Sequence, residues 1–403
     1  MPSFMSDKLK ILVVKANDGG CAYYRAISPF SKLQELYPDK VEVIIEENPL
    51  KWPEPGKVQE GWEEDHSMIK NAHVVFINNL NNRGAQYTAR LVGLGKQYGK
   101  FVHFDTDDLL TELYEEHKLA GVYKDQGLSE ITKFIYSNCD LVTVTQLKFA
   151  ERIKPYCTKV LAVIKNAIDY RLPAWQLQKQ SSRQVRIGWA GGIHHNPDVK
   201  VFAGVPHLVN QKVGRENVRW DFYGHPPMPP PGQKKDWQFE AWNHYKTELL
   251  RGFKGQANWG IHYALPPNDY GAFYANMDIA IAPLKMNPFN DSKSDIKVAE
   301  AGRYAAPLVA SNVGCYHETI INGKTGYLLD PDAPKSEWAR ILSKVCKDHK
   351  HREEIGRNLK AVTDELFDLN KVVGQRIDIY EQAFKMLGWD PRNSVKVENG
   401  TSV

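Results

Sequence analysis

Residues 185–192 read VRIGWAGG, a short apolar run that ends in a glycine pair. A run of this length, rich in Val and Ile, is typical of a strand buried on both faces of a parallel sheet. Comparable runs follow it in VRWDFYG (218–224), NWGIHYA (258–264), MDIAIAPL (277–284) and PLVASN (307–312). The second half of the chain is therefore predicted to be an α/β unit with helices on both faces of a parallel sheet.

The first half of the chain shows the same alternation. Its apolar runs are KILVV (10–14), VEVII (41–45), HVVFI (73–77), KFVHF (100–104), DLVTV (140–144) and KVLAVI (159–164). Between them, residues 22–37 and 88–98 have apolar side chains at helical spacing. We therefore expect a second doubly wound α/β unit.

A length of 403 residues predicts two domains at about 150 residues per domain. The polar stretch 171–184, which contains a proline and no apolar period, is predicted to link them. We assign residues 1–175 to an N-terminal domain, completed by a returning helix at 370–388, and residues 183–369 to a C-terminal domain. The polar tail 389–403 is expected to be disordered.

Composition excludes several classes of protein. The chain is 42% hydrophobic and 25% charged, as globular proteins are, and its formal net charge of +4 is too small to indicate a nucleic-acid binder. No apolar run approaches the ~20 residues of a membrane-spanning helix. The 5 cysteines form no C-x-x-C pair, which argues against a zinc site or a disulfide framework. We expect a cytoplasmic protein with reduced thiols.

The stretch NDSKSDIKVAEAG (290–302) is the strongest candidate for a binding motif. Lys293, Lys297 and Glu300 have the spacing of one helical face, and the helix is predicted to begin near residues 290–294. Free N–H groups at a helix N-terminus suit a phosphate, and Glu300 suits ribose hydroxyls. The alternative is a solvated Lys/Glu face on a surface helix.

Two strand ends are further candidates. The pair Gly191–Gly192 allows a pyrophosphate to approach the backbone, and the sequence around it is not the G-x-G-x-x-G of dinucleotide sites. His195 and Asp198 follow at a three-residue spacing. Tyr223–Gly224 ends another strand, where the ring is available to stack on a base or, in the alternative interpretation, belongs to the core.

In chain order, these motifs, followed by DYGAFYANMDIAIAPL and GCYHETIINGKTGYLL, resemble the donor half of the retaining GT-B glycosyltransferases of family 4. The resemblance is strong over residues 185–330 and weaker in the N-terminal half. It implies two Rossmann-like domains that face a cleft, with a C-terminal helix crossing back to the N-terminal domain. It also implies a nucleotide diphosphate sugar held mainly by the C-terminal domain, with no obligatory metal.

The resemblance assigns roles to individual donor-side residues. Glu300 matches the second glutamate of the family motif, which holds the ribose, and Tyr223 and Gly224 lie near the base. The diphosphate is expected to contact the following residues: Gly191, Gly192, Lys293 and Lys297. The first glutamate of the motif falls on Ser292, so the sugar-binding candidates are Ser292 and its neighbours Asp291 and Asp295.

The N-terminal half supplies acceptor-side candidates. Gly19–Gly20, within ANDGGCAYYR (16–25), resembles the family's loop that approaches the donor phosphate from the opposite side, and Tyr24 and Arg25 are candidate acceptor contacts. A plain strand-to-helix turn is the alternative.

The acidic stretch HFDTDDLL (103–110) places three carboxylates at a strand end, which is the ligand edge of an open α/β sheet. Asp105, Asp107 and Asp108 are candidate catalytic residues together with His195, and Asp107 is also a candidate acceptor contact. D-x-D is in addition the metal motif of the GT-A fold, which the two alternating series argue against. A helix N-cap at Asp107 or Asp108 is the alternative.

The expected activity is sugar transfer with retention, from a UDP-sugar or alternatively a GDP-sugar, to a hydroxyl of a saccharide or lipid-linked glycan. One alternative acceptor is a hydroxymethylated DNA base, for which 148–159 and the loop Lys234–Trp237 with Trp242 are candidate contacts. Another alternative is an inactive nucleotide-sugar-binding protein. We therefore expect the protein in the cytoplasm, at the inner face of the membrane, or, for a viral enzyme, in the host cytoplasm.

Two further points concern assembly and chemistry. The sequence does not determine the oligomeric state. It contains neither the G-x-S-x-G motif of hydrolase nucleophiles nor a Walker motif for nucleotide hydrolysis.

Overall fold

The computed structural model describes residues 8–54, 57, 61–117, 119–192, 195–228, 237–253 and 258–394. These residues divide into two compact units. The first is drawn from Met1–Leu113, Leu119–Ala167 and Leu369–Val403, and the second from Tyr114–Lys118 and Ile168–Asp368.

The first unit is built on a six-stranded, fully parallel sheet of order β2-β1-β3-β4-β5-β6. Its strands are β1 Leu9–Val14, β2 Val41–Glu46, β3 Val74–Asn78, β4 Phe101–Asp105, β5 Leu141–Val144 and β6 Val160–Val163. Each of the six apolar runs of the first half forms one of these strands. All residues of β3, β4 and β5 are buried, as expected for strands covered on both faces.

Helices cover both faces of this sheet. They are Gly20–Ala22, the π-helical turn Tyr23–Ile27, Ser28–Leu36, Ser67–Asn71, Ala85–Gln97, Ala120–Asp125, Leu128–Asn138, Leu147–Ile153, the 3₁₀ turn Lys154–Tyr156, Leu369–Val372, Gln375–Leu387 and Pro391–Ser394. The helix Gln375–Leu387 places Ile377, Tyr380 and Phe384 in the same apolar core as Phe30 and Phe76. The C-terminal helix therefore returns to the first unit, as the fold class predicted.

A buried ion pair lies at the end of β4. Arg25 and Asp105 are both fully buried and form a two-pronged pair, with Nε–Oδ1 at 2.9 Å and Nη2–Oδ2 at 2.6 Å. Although burial favours the neutral acid, Arg25 holds the pKa of Asp105 below its usual value. Thr143 donates to Oδ2 of the same carboxylate at 2.6 Å, and it also bonds His103, whose other ring nitrogen bonds Tyr380. This network ties β4 and β5 to the returning helix.

The second unit contains another six-stranded parallel sheet, of order β12-β11-β10-β7-β8-β9. Its strands are β7 Val185–Ala190, β8 Val218–His225, β9 Trp259–Tyr263, β10 Ile279–Ala282, β11 Leu308–Ser311 and β12 Gly326–Leu329. Read from β9 to β12, this is the Rossmann strand order. Five strands match the apolar runs of the sequence, and β12, which is only four residues long, was not predicted.

The helices of the second unit surround a core rich in tryptophan. They are the 3₁₀ turns Pro173–Trp175, Arg215–Asn217, Pro267–Asp269 and Tyr316–Glu318, and the helices Asn196–Phe202, Val205–Val213, Trp237–Leu249, Gly271–Tyr274, Pro288–Asp291, Ile296–Arg303, Lys335–Lys347 and His349–Leu366. Trp220, Trp242 and Trp338 are each at most 1% exposed. Trp242 is therefore unable to stack on a DNA base, contrary to the alternative considered for it, and the loop 229–236 lies outside the described residues.

Two expectations about flexible segments were wrong in part. The beginning of the predicted linker 171–184 packs on the second unit, because Trp175 is buried against Tyr274 and Tyr304. The beginning of the predicted tail is also ordered. Residues 391–394 form a short helix, and Lys100 donates to the Ser394 carbonyl at 2.9 Å. The remainder of the tail, 395–403, lies outside the described residues. Within the described chain, no helix combines the length and hydropathy needed to cross a bilayer.

Replacing Asp105 with Ala removes the only carboxylate bonded to the buried Arg25 guanidinium among the described residues. We expect the Asp105→Ala variant to lose about 3–5 kcal/mol of unfolding free energy, because an uncompensated charge is left in the core. Urea unfolding followed by circular dichroism measures this. Glu130→Ala, which breaks the exposed pair with Lys133, is the control and should change stability by less than about 1 kcal/mol. Equal, small effects in the two variants would contradict the account.

Candidate functional site

The strand order of the second sheet locates a ligand crevice. From β7 the chain continues outward to β8 and β9 on one side, and from β10 to β11 and β12 on the other. In open α/β sheets, ligands bind at the carboxyl ends of the strands where the order reverses in this way. The loop after β7 begins with Gly191–Gly192, and the segment after β10 contains residues 283–295. Both segments therefore start at the position where this fold binds ligands.

A buried carboxylate joins the two segments. Asp198, which is 1% exposed, accepts hydrogen bonds from the Lys285 backbone N–H and from Asn290 Nδ2, both at 2.8 Å. Its second oxygen lies 2.7 Å from His195 Nδ1. One side chain of the helix that follows the β7 loop thus fixes both the loop and the segment after β10. The three-residue spacing of His195 and Asp198 is explained by this contact.

The glycines at the ends of β7 and β8 have different structural roles. A Cβ on Gly191 would lie 2.4 Å from the Trp189 ring, and one on Gly224 would lie 2.2 Å from the Gly191 carbonyl oxygen. Gly224 also has a φ of +117°. These two glycines are required for the β7 and β8 loops to pack together. At Gly192, by contrast, no atom of the described residues lies within 4 Å of an added Cβ, so within this part of the structure the backbone is open to a ligand.

The lysine motif is arranged differently from the prediction. The helix begins at Ile296, not near 290–294, so Lys293 precedes it and does not share a helical face with Lys297. The reason is local: a separate turn, Pro288–Asp291, is capped by Asn287, and Ser292 Oγ donates to the Pro288 carbonyl. Lys293 instead lies over the Phe289 ring, with Nζ 4.8 Å from its centroid.

Lys297 and Glu300 form a partly enclosed pair on the helix Ile296–Arg303. Lys297 Nζ lies 3.1 Å from Glu300 Oε2, which also accepts the Tyr274 hydroxyl at 2.7 Å. Although burial opposes it, the Glu300 carboxylate raises the pKa of Lys297. Lys297 is therefore cationic at neutral pH. Glu300 is 2% exposed, so this pair is held by the fold and is not the solvated face of the alternative interpretation.

The residues predicted to contact the donor sugar and the base lie in enclosed surroundings. Ser292 and Asp295 are fully buried, and Asp291 accepts a hydrogen bond from the Gly314 backbone at 3.1 Å, so the roles of these three residues toward a sugar stay predictions. Tyr223 is packed between His262 and Phe273, with ring centroids 4.4 and 4.5 Å away. The ring of Tyr223 therefore belongs to the core and is not available to stack on a base.

In the first unit, the chain order reverses between β1 and β3. The exposed pair Gly19–Gly20 follows β1, and Gly19 N–H donates to Asn17 Oδ1 at 2.7 Å. Arg25 and Asp105 were assigned to acceptor contact and to catalysis, respectively. These assignments are not supported, because the two side chains are fully buried and bonded to each other. Tyr24 is also buried and packs edge-on against Tyr23, at 5.2 Å between ring centroids.

Asp107 and Asp108 have a different environment from Asp105. Together with Cys21 they place one ligand atom each within 4.8 Å of one another. Burial, with the negative charge of Asp108 second, raises the pKa of Asp107 to about 6. Asp107 is thus a carboxyl group able to exchange a proton near neutral pH. These acids remain candidates for the chemistry that the acidic stretch predicted.

Sequence reasoning missed two asparagines at the end of β3. Asn78 is fully buried, and neither its Oδ1 nor its Nδ2 has a hydrogen-bond partner among the described residues. Asn79 has a φ of 55° and donates from Nδ2 to Asp107 Oδ1 at 3.1 Å. The available signal was NNLNN (78–82), a polar run directly after an apolar strand and therefore at the ligand edge.

Comparison with known proteins agrees with this arrangement. Residues 184–348 match the family of glycosyl transferases group 1. A D-inositol 3-phosphate glycosyltransferase of Corynebacterium kroppenstedtii is 32% identical over 122 residues, which are 30% of this chain and 25% of the relative. Its counterpart in Paenarthrobacter aurescens is 29% identical over 115 residues, 28% of this chain and 26% of the relative. The matched region thus spans about a quarter of these curated relatives.

Solved structures match over nearly the whole chain. Sucrose-phosphate synthase from Thermosynechococcus elongatus has a TM-score of 0.66 at 13% identity, covering 94% of this chain and 99% of that chain. Anabaena HepE, solved in complex with UDP and glucose, has a TM-score of 0.59 at 14% identity, covering 93% and 100%. At such identities the likeness concerns the fold. Residues 184–348 of the second unit therefore resemble the glycosyl transferases group 1 family, and the chain shares the two-sheet GT-B fold of these solved structures.

Proposed function

We propose that this chain is a retaining glycosyltransferase of the family 4 type, which transfers a sugar from a UDP-sugar to a hydroxyl of a saccharide or lipid-linked glycan. The observation that carries the proposal is the ligand crevice of the second unit. There, Asp198 joins the loop that contains Gly192 to the segment that contains Lys293, and Glu300 holds Lys297 on the helix that follows this segment. A glycine backbone, two lysines and a glutamate, which suit a diphosphate and a ribose, thus belong to segments that follow one strand-order reversal.

The proposed donor contacts follow from the chemistry of each group. The Gly192 backbone lets the diphosphate approach closely, and Lys293 and Lys297 neutralise the charge that grows on it as the sugar–phosphate bond breaks. Glu300 accepts hydrogen bonds from the ribose hydroxyls. For Glu300 to do so, its hydrogen bond with Lys297 must break, and Lys297 is then available to the phosphate. UDP is the preferred nucleotide because structural neighbours were solved with UDP or UDP-glucose.

The acceptor side of the proposal belongs to the first unit. The loop at Gly19–Gly20 and the acids Asp107 and Asp108 lie at the carboxyl edge of its sheet, and Asn79 orients Asp107. Asp107 is suited to hydrogen-bond an acceptor hydroxyl. Retention then requires that hydroxyl to attack the face from which the diphosphate leaves, and the leaving phosphate takes its proton. A glycan acceptor is favoured over DNA because the proposed stacking residue Trp242 is inaccessible.

Gly192→Val tests whether a ligand occupies the space beside the glycine backbone. Because an added Cβ meets no atom of the described residues within 4 Å, we expect unchanged thermal stability together with UDP binding at least about tenfold weaker. Calorimetric titration with UDP and a thermal melt measure the two effects. Gly191→Ala is the contrasting variant and should lower stability, because its Cβ meets the Trp189 ring. UDP affinity unaltered by Gly192→Val would remove this loop from the site.

Lys297→Met removes the charge and keeps the aliphatic stem. We expect UDP affinity to fall about 10–100-fold, the effect of losing a charge-assisted hydrogen bond. Lys347→Met, at an exposed lysine on the helix Lys335–Lys347, is the matched control and should leave affinity unchanged. Equal affinities of the two variants would exclude Lys297 from the diphosphate site.

A panel of UDP- and GDP-sugars tests the activity itself. Without an acceptor, we expect slow release of UDP from one UDP-sugar, because water replaces the acceptor hydroxyl. Proton NMR of the released sugar, recorded before it mutarotates, should show the anomeric configuration of the donor. An inverted product would refute retention. Binding without any turnover of the panel, with or without glycan acceptors, would instead support an inactive nucleotide-sugar-binding protein.

A further inference from the structure

The imidazole of His195 has an arrangement that the proposed donor contacts do not use. We propose that His195 is a proton-linked ligand of the diphosphate: it is neutral in the free protein and takes up a proton on Nε2 when the diphosphate binds. The protonated ring then donates a hydrogen bond to a phosphate oxygen. This inference rests on the proposed function, because it requires a nucleotide diphosphate at the β7 loop.

The contacts of Asp198 determine which ring nitrogen carries the proton. One carboxylate oxygen accepts from the Lys285 N–H and from Asn290 Nδ2, and the other lies 2.7 Å from His195 Nδ1. A carboxylate in this setting is an acceptor, so Nδ1 must carry the hydrogen. In the neutral ring, Nε2 is then the nitrogen with a lone pair, and no described residue bonds it. His195 is held in one tautomer with its basic nitrogen free.

Nearby charged groups and burial decide whether the His195 ring is protonated in the free protein. Burial, followed by the positive charge of Lys293, lowers the pKa of His195; Lys297 acts in the same direction and Asp198 opposes them. Two further described neighbours are uncharged: the ring lies edge-on to Trp189, and the Tyr245 hydroxyl bonds the His195 backbone. Without a ligand, the ring is therefore neutral at neutral pH.

A bound diphosphate reverses this balance. Its negative charges compensate Lys293 and Lys297, which are the cations that keep the ring neutral, and they attract a proton to Nε2. The lone pair of a neutral ring would instead face phosphate oxygens, which are acceptors as well. The proton comes from the solvent buffer, one N–H bond forms on Nε2, and the proton returns to the buffer when the nucleotide leaves. Binding of the diphosphate and binding of the proton are thus coupled.

Calorimetric titration of the full chain with UDP tests this coupling. Titrations at about pH 7.5, in buffers of different ionisation enthalpy, give the protons taken up per UDP bound. His195→Gln is the informative variant, because Gln retains a hydrogen-bond donor and does not titrate. We expect wild type to take up more protons than His195→Gln, by up to about one proton. Titration with uridine, which lacks phosphate, should show no such difference between the two proteins.

The pH dependence of UDP affinity gives a second readout. Between about pH 6 and pH 8, wild-type affinity should fall with rising pH more steeply than that of His195→Gln, by up to about tenfold per pH unit. If the variant fails to fold by circular dichroism, ¹⁵N NMR of histidine-labelled wild type replaces it. One of the 13 histidines should change from a neutral to a protonated ring when UDP is added.

The outcomes separate this inference from the proposed function. UDP binding with equal proton uptake in wild type and His195→Gln, or ¹⁵N spectra in which no ring becomes protonated, overturns the inference and leaves the proposed function intact. A complete absence of UDP binding overturns the proposed function, and the inference with it.

Discussion

The candidate site depends on the three hydrogen bonds that one buried carboxylate accepts. Asp198 takes two from the segment after β10 and one from His195 in the loop after β7. Parallel strands alone bring the two loops to the same edge of the sheet, and the carboxylate fixes their relative position. Gly192 and His195 belong to the loop, and Lys293 to the segment, that this anchor joins. Because buried acceptors are costly to leave unsatisfied, the three donors and Asp198 stabilise one arrangement of the loops.

The fold was largely predictable from the sequence because buried parallel strands are short, continuous apolar runs. KILVV and VRIGWA both became central strands, each flanked by neighbours on both sides. The strand Gly326–Leu329 escaped prediction because four residues at the end of a sheet carry too weak a pattern. The helix that contains Lys297 was predicted to begin too early in the chain. There, the Asn287 side chain caps the start of a separate turn and Ser292 bonds the Pro288 carbonyl at its end, which apolar spacing does not reveal.

The site was less predictable because sequence does not show which polar groups satisfy one another. Arg25 and Asp105 stand at a predicted ligand edge, yet they are 80 residues apart and neutralise each other in the core. Tyr223 ends a strand as expected, and its ring is enclosed by two aromatic neighbours. By contrast, Lys297 and Glu300 lie on one face of a helix, as their spacing predicted, and their side chains bond each other. Long-range pairing decides whether a charged residue faces a ligand, and local spacing carries no information about it.

The central claim is that the crevice at β7 and β10 holds a nucleotide diphosphate. A crystal structure of the chain with UDP tests it most directly. The account predicts the diphosphate beside the Gly192 backbone, with Lys293 or Lys297 bonded to its oxygens and the ribose at Glu300. UDP bound elsewhere, or a diphosphate that contacts neither lysine, would contradict the account.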